Sequence, residues 1–192
     1  MKLLVNGNKK LKNMLVYSRT PIKGCLDCSS CASTCYAVKS YRQYPNVKTA
    51  WDRNLDFAKN DVDTMAVHLY KQLKHTKQRV VRIHSSGDFI SQAYVDMWAD
   101  LVETFSHIKF YTYSKSTERF DFSRINSLPN FNLVNSILPN GAKNYGSLEY
   151  CNEAKDKFNS FICPATQKGS KVTCNDGCDY CVHSKNVVFI QH

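Results

Sequence analysis

Cysteine placement constrains this chain more than any other feature. Nine cysteines sit at the two ends of the 192 residues: four between 25 and 35, five between 151 and 181, and none from 36 to 150. Tight cysteine clusters in a reducing compartment read as metal ligands, whereas disulfides need export. The opening MKLLVNGNKK has too short an apolar stretch for a signal peptide, and no apolar run approaches the ~18 residues of a membrane span. A cytoplasmic protein with no membrane partner is therefore expected. With 43% apolar residues the cysteine-free middle can bury a core, so the cysteine blocks read as lids on it. The expected organisation is a single domain over 1–192. It comprises an N-terminal hairpin and first cysteine cluster (1–45), an α/β core (46–150), and a C-terminal cysteine cluster with a last strand (151–192).

The first block is Cys25-x2-Cys28-x2-Cys31-x3-Cys35. This is the spacing that bacterial ferredoxins place around a 4Fe–4S cluster, without the proline that follows their last cysteine. Zinc also accepts four thiolates, but structural zinc favours two separated knuckles, so iron–sulfur is the preferred cofactor and zinc the alternative. The second block is Cys163-Pro164 followed by Cys174-x3-Cys178-x2-Cys181. Its triplet has the spacing of radical S-adenosylmethionine enzymes, and Cys163 is available as a fourth ligand that would close the site. Cys151 is left over and reads as a buried thiol. The formal charge of +10 falls to +6 if each quartet closes around a dicationic centre with net charge −2. A basic exterior leaves a nucleic-acid or host-protein partner open.

Between the blocks, hydrophobic period separates helices from strands. Asn6-Gly7 suggests a tight hairpin between two short strands. Helices are expected from about Asn46 to Ala58, from Asp61 or Asp63 through Leu73, and over about 119–127 and 148–158. Tyr94, Met97, Trp98, Leu101, Val102 and Phe105 form the clearest apolar helical face, with Ser91 as its cap. Arg79–His84, Ile108–Tyr113, Phe131–Ile137 and Val187–Ile190 read as strands. This alternation gives an α/β fold, a partial or incomplete (β/α) barrel-like parallel sheet with cysteine-rich metal-binding segments at both ends.

His84-Ser85-Ser86-Gly87-Asp88 follows a strand and precedes a helix, and ligands of parallel sheets bind at the carboxyl ends of strands. Small side chains, free N–H groups and an acid there can hold an amine, a hydroxyl or a phosphate. Tyr113, Ser114 and Lys115 at the next strand end, and Asn135 and Ser136 at the one after, should share that rim. The candidate ligand-binding residues are thus His84, Ser85, Ser86, Gly87, Asp88, Tyr113 and Lys115; no catalytic residue is singled out. A structural role competes for each: Asp88 can cap a helix, His84 can be a satisfied core histidine, and Lys115 can be a solvated lysine.

Four segments carry a family resemblance: the block ending Cys35-Tyr36-Ala37, Arg82–Phe89 (RIHSSGDF), Tyr111–Lys115 (YTYSK), and Cys163-Pro164-Ala165 with its cysteine triplet. In these the chain resembles the gene product 88 family of phages and plasmids. The resemblance implies a phage-encoded cysteine-cluster protein in a bacterial cytoplasm and supplies no reaction. The order of cysteines, strand, small-Gly-acid turn and helix also looks like a shrunken radical S-adenosylmethionine barrel, with Ser86-Gly87-Asp88 in the place of the turn that holds the cofactor's amino group. Two functions follow as expectations. One is an iron–sulfur protein with a small-molecule pocket at the strand ends, extending to a radical S-adenosylmethionine-like or redox enzyme. The other is a zinc-stabilised basic module that binds nucleic acid or a host protein.

Overall fold

The computed structural model describes residues 1–26, 28, 32, 35–135, 148–184 and 186–190. Five strands form the central sheet in chain order: β1 (Val5–Asn6), β2 (Leu15–Val16), β3 (Val80–Ile83), β4 (Lys109–Ser114) and β5 (Phe131–Asn135). β1 pairs antiparallel with β2, and β2 to β5 are parallel neighbours. Parallel neighbours need long crossovers, and the helices supply them. They are α1 (Tyr36–Gln43), α2 (Pro45–Asn60), α3 (Val62–Lys74), α4 (Gln92–Thr104) and α5 (Ser123–Asn126). The expected α/β fold is present, with a mostly parallel sheet. It is open: among the described residues no ladder joins β5 back to β1, because four short parallel strands cannot supply the stagger that closes a barrel.

Strand alternation gives the sheet two faces. Val81, Ile83, Phe110 and Leu133 turn towards α3 and α4, where Met65, Leu69, Tyr94, Trp98 and Val102 complete the main core. Val16, Val80 and Tyr111 turn the other way and meet Leu11, Met14 and Val182. In a closed barrel this second face would be the interior. Here the C-terminal segment covers it.

That segment holds α6 (Leu148–Phe158), β6 (Phe161–Ile162), a 3₁₀ turn (Pro164–Thr166), β7 (Thr173–Cys174), β8 (Gly177–Cys178), α7 (Tyr180–His183) and β9 (Val187–Val188). β6 pairs with β9, and β7 with β8 in a tight knuckle. Asn132 on β5 donates to the carbonyls of Cys181 (2.9 Å) and Ser184 (3.0 Å), which ties α7 to the sheet.

The caps at Asp61 and Ser91 are as expected, each side-chain oxygen accepting the N–H three residues on. Three sequence expectations change, and part of a fourth lies outside the described residues. Asn6-Gly7 is no two-residue turn, because Gly7 N–H reaches across to the Met14 carbonyl (2.9 Å) and residues between them loop out. A Cβ at Gly7 would lie 1.7 Å from the Leu11 carbonyl oxygen, so the loop requires glycine. The helix expected from Asn46 starts instead with Pro45 in its first turn, where a missing N–H is harmless, and a separate helix, α1, precedes it. The helix around 119–127 shrinks to Ser123–Asn126. The Phe131 strand is described as far as Asn135; Ser136 and Ile137 lie outside the described residues.

Candidate functional site

The loops after β2, β3 and β4 meet at one rim of the sheet. The Tyr17 N–H bonds the Arg82 carbonyl, Ser85 N–H the Tyr17 carbonyl, and Arg19 N–H the Ser86 carbonyl, so pairing continues past the ends of the strands (2.9–3.0 Å). His84 turns the chain with φ +64°, unusual for a residue with a side chain, and Gly87 turns it again with φ +88°. Backbone strain of this kind gathers where a turn is held by its surroundings. A Cβ at Gly87 would stand 3.1 Å from Arg19 Cβ, 3.4 Å from Arg19 Nε and 3.5 Å from the Gly24 carbonyl oxygen.

Asp88 locks this rim together. Its N–H donates to the Gly24 carbonyl (2.9 Å), while its carboxylate accepts from Phe89 N–H (2.7 Å), Ser114 Oγ (2.7 Å) and Lys115 N–H (2.8 Å). One acid thus joins the loops after β2, β3 and β4. Burial pushes its pKa up, against these donors and the Arg19 charge. Both of its oxygens are already in use inside the protein, which is the structural role rather than an open acceptor. Lys115 contributes its backbone N–H.

His84 is buried, with Nε2 2.9 Å from the Tyr94 hydroxyl and Nδ1 without a hydrogen bond among the described residues. Burial, then the Arg19 and Arg82 charges, hold its pKa well below the usual range, so the ring is neutral. Ser86 Oγ is also buried without a partner among the described residues. Arg19 is fully buried; its guanidinium lies 4.5 Å above the Tyr94 ring, and none of its three nitrogens has a hydrogen-bond partner among the described residues.

Tyr113 does not share the rim. Alternation along β4 sends Ser114 towards Asp88 and Tyr113 to the opposite face. There its ring meets Phe189 (5.4 Å) and Arg82 (5.0 Å), and it packs on the same apolar cluster as Cys174 and Cys181. Of the seven candidate ligand-binding residues, His84, Ser85, Ser86, Gly87, Asp88 and Lys115 are together; Tyr113 belongs with the C-terminal cysteines.

The first cysteine block follows β2 and lies against the rim. Gly24 is the Asp88 partner, and Tyr36, directly after Cys35, donates its hydroxyl to the Ser85 carbonyl. Burial, then the neighbouring Cys28 and Asp88, push the Cys25 thiol up to about 12. Cys31 lies outside the described residues. Beside Cys35 opens a groove of about 690 Å³ lined by Ile22, Ala32, Val38, Lys39, Arg42 and Gln43.

The second block is gathered by the sheet. Cys163, Cys174, Cys178 and Cys181 line one small cavity together with Met14 and Tyr111. Burial raises the thiols of Cys163 and Cys174, and it takes Cys181 to about 11. The β1–β2 loop grips the knuckle: Cys174 N–H donates to the Lys10 carbonyl (2.8 Å), Asn175 Nδ2 to the Asn13 carbonyl (2.8 Å), and Lys12 pairs with Asp176 (2.8 Å). Cys151 is buried with its sulfur 3.6 Å from the Phe189 carbonyl, in keeping with a packing thiol. Among the described residues no three His, Cys, Asp or Glu side chains are drawn together at the spacing of a single metal ion. The donor sets are all thiol, four cysteines in each block, and soft thiolates suit iron–sulfur clusters and zinc. Sequence reasoning missed Arg19 and Asn132, which carry no motif, and gave Arg82 of the RIHSSGDF segment no role of its own; all three gain meaning from what they face.

Comparison with known proteins places the chain. The family model described as Gene product 88 matches residues 2–157. The Gene 88 protein of Mycobacterium phage D29 is 27% identical over 118 residues, covering 57% of this chain and 49% of that protein. The match thus spans about half the length of that relative. No solved structure matches the chain. Among the described residues no helix is long and apolar enough to cross a membrane.

Proposed function

The chain belongs to the gene product 88 family, and on that premise we propose that it is a phage-type protein that assembles two iron–sulfur clusters, one in each cysteine block, beside a small-molecule site at the strand ends. The observation that carries this reading is the convergence of Cys163, Cys174, Cys178 and Cys181 on one cavity, from positions up to 18 residues apart and on separate turns. Packing alone has little reason to put four thiols there, because a hydrophobic contact is made as well by valine or leucine. The first block supports the reading by place: it follows β2, the first strand of the parallel ladder, so its thiols would stand at the ligand-binding rim. Cysteine thiolates would hold each cluster, which would supply electron transfer or Lewis acidity.

The chain's own residues prepare the rim. Asp88 fixes the three loops, and His84 stays neutral, so its Nδ1 can accept or donate a hydrogen bond without charge. A radical S-adenosylmethionine-like use of this rim is the finer form of the reading. It rests on the order of cysteine block, strand and Ser86-Gly87-Asp88 turn. A redox protein without a substrate is the simpler form.

Metal and acid-labile sulfide analysis of anaerobically purified protein tests the reading. About eight iron atoms and eight sulfides per chain are expected from two 4Fe–4S sites, and Cys178→Ser should halve both. Stoichiometric zinc without sulfide would replace the reading with the zinc-stabilised module. No thiolate-bound metal at all would end both.

A further inference from the structure

Arginine does not lose its proton in a protein, so a buried guanidinium must find an anion or a set of acceptors. Arg19 has neither among the described residues. It is wholly buried, its guanidinium nitrogens are without hydrogen bonds among the described residues, and the guanidinium lies 4.5 Å over the Tyr94 ring. Asp88, whose carboxyl feels the Arg19 charge, has committed its oxygens to Ser114, Lys115 and Phe89, and no ion pair joins it to Arg19 among the described residues. What Arg19 does border is the turn that leads into the first cysteine block. Its Nε and the Gly24 carbonyl oxygen flank the same point beside Gly87, and Gly24 directly precedes Cys25.

Arg82 repeats part of the arrangement on the other face of the sheet, where it is half-buried. Its Nε is sealed from solvent without a partner among the described residues, and its guanidinium lies 5.0 Å over Tyr113, which packs on the same cluster as Cys181. Cys174 packs on the same apolar cluster as Tyr113. Burial works against the Arg82 charge, and the phenols of Tyr36, Tyr111 and Tyr113 and the Cys174 thiol work for it, with the balance upward. Each cysteine block therefore has one arginine beside it, and neither arginine has a carboxylate partner among the described residues.

We propose that Arg19 and Arg82 are the counter-cations of the two cysteine sites, Arg19 for the site to which Cys25, Cys28 and Cys35 belong and Arg82 for the quartet of Cys163, Cys174, Cys178 and Cys181. The proposal rests on the reading above that both blocks bind metal through thiolates. Four thiolates around a dicationic centre carry a net charge of −2, for zinc and for an oxidised 4Fe–4S cluster alike. An adjacent guanidinium offsets part of that charge, and the pair replaces two separate desolvated charges. A single anionic substrate at the rim would account for Arg19 alone. It would leave Arg82, on the opposite face, unexplained.

The test uses the metal-loaded protein, its Arg19→Met and Arg82→Met variants, and the charge-keeping Arg19→Lys and Arg82→Lys. Release of metal into excess chelator is followed in time, with Cys178→Ser added so that the first site can be read by itself. Each Met variant should lose metal from its own site at least tenfold faster than wild type, while each Lys variant releases more slowly than its Met partner. In the metal-free protein Arg19→Met should melt no lower than wild type, since an uncompensated buried charge has been removed. A purely structural arginine would lower the melting temperature with and without metal. If the Met variants do not fold, Arg19→Gln and Arg82→Gln give the same comparison. Wild-type release rates in a neutral variant would overturn the proposal while leaving the metal reading intact. A wild-type protein that holds no thiolate-bound metal would instead overturn the metal reading, and the counter-cation role with it.

Discussion

Gly87 is the point at which the rim can be perturbed without removing any polar group. Alanine there meets two separate costs. The first is conformational: φ is +88°, and a left-handed backbone costs an L-residue about 1–2 kcal/mol. The second is steric: the new Cβ would stand 3.1 Å from Arg19 Cβ, and the nearby Gly24 carbonyl is tied to Asp88, so neither neighbour moves freely. Overpacking of this kind adds about 1–3 kcal/mol. Gly169 provides the control. Its φ is +79°, and an added Cβ would have nothing within 4 Å, so Gly169→Ala isolates the first cost. At about 3 °C per kcal/mol for a chain of this size, Gly169→Ala should lower the melting temperature by about 3–6 °C and Gly87→Ala by about 6–15 °C. Thermal unfolding followed by circular dichroism at matched metal content gives both numbers. Equal shifts in the two variants would refute the claim that the turn is packed tightly against Arg19.

Two further outcomes follow from the same geometry. Because the folded protein holds the His84 pKa well below its unfolded value near 6.5, the unfolded chain binds the proton first, and stability falls as pH drops below about 6.5. The loss approaches about 1.4 kcal/mol per pH unit down to the folded pKa, and denaturant titrations at pH 7 and 5.5 should show it shrink in His84→Asn, since Asn tolerates the left-handed backbone. Asn132→Ala removes both hydrogen bonds to the Cys181 and Ser184 carbonyls; about 1–3 kcal/mol should be lost, and limited proteolysis should cut more readily after residue 160 while β2–β5 stays protected.

Much of the fold was legible because it is written locally. The apolar face from Tyr94 to Phe105 fixed α4, Ser91 and Asp61 fixed two helix starts, and the β-branched run before His84 fixed β3, since period and capping depend on neighbours a few residues away. The two cysteine blocks were equally visible, and so was the placing of His84–Asp88 at the end of a strand. Local pattern also misled: Asn6-Gly7 is the usual dipeptide of a two-residue turn, yet the loop continues to Met14 because it must reach Cys174 and Asn175, more than 160 positions away.

Sequence period says that residues two apart share a face of a strand, but it does not say what will cover that face. Tyr113 and Ser114 therefore looked like neighbours at one rim, and the tertiary structure sent Ser114 to Asp88 and Tyr113 to Cys181. Arg19 and Arg82 read as basic residues among 26, and only folding left Arg19's guanidinium nitrogens and Arg82's Nε buried without a partner among the described residues. The sequence by itself determined which chemistry the chain carries, because thiols, caps and apolar stripes are properties of single residues and short spacings. The tertiary structure decided which of those groups meet, because contacts across more than a hundred residues are set by how the sheet is covered on each side.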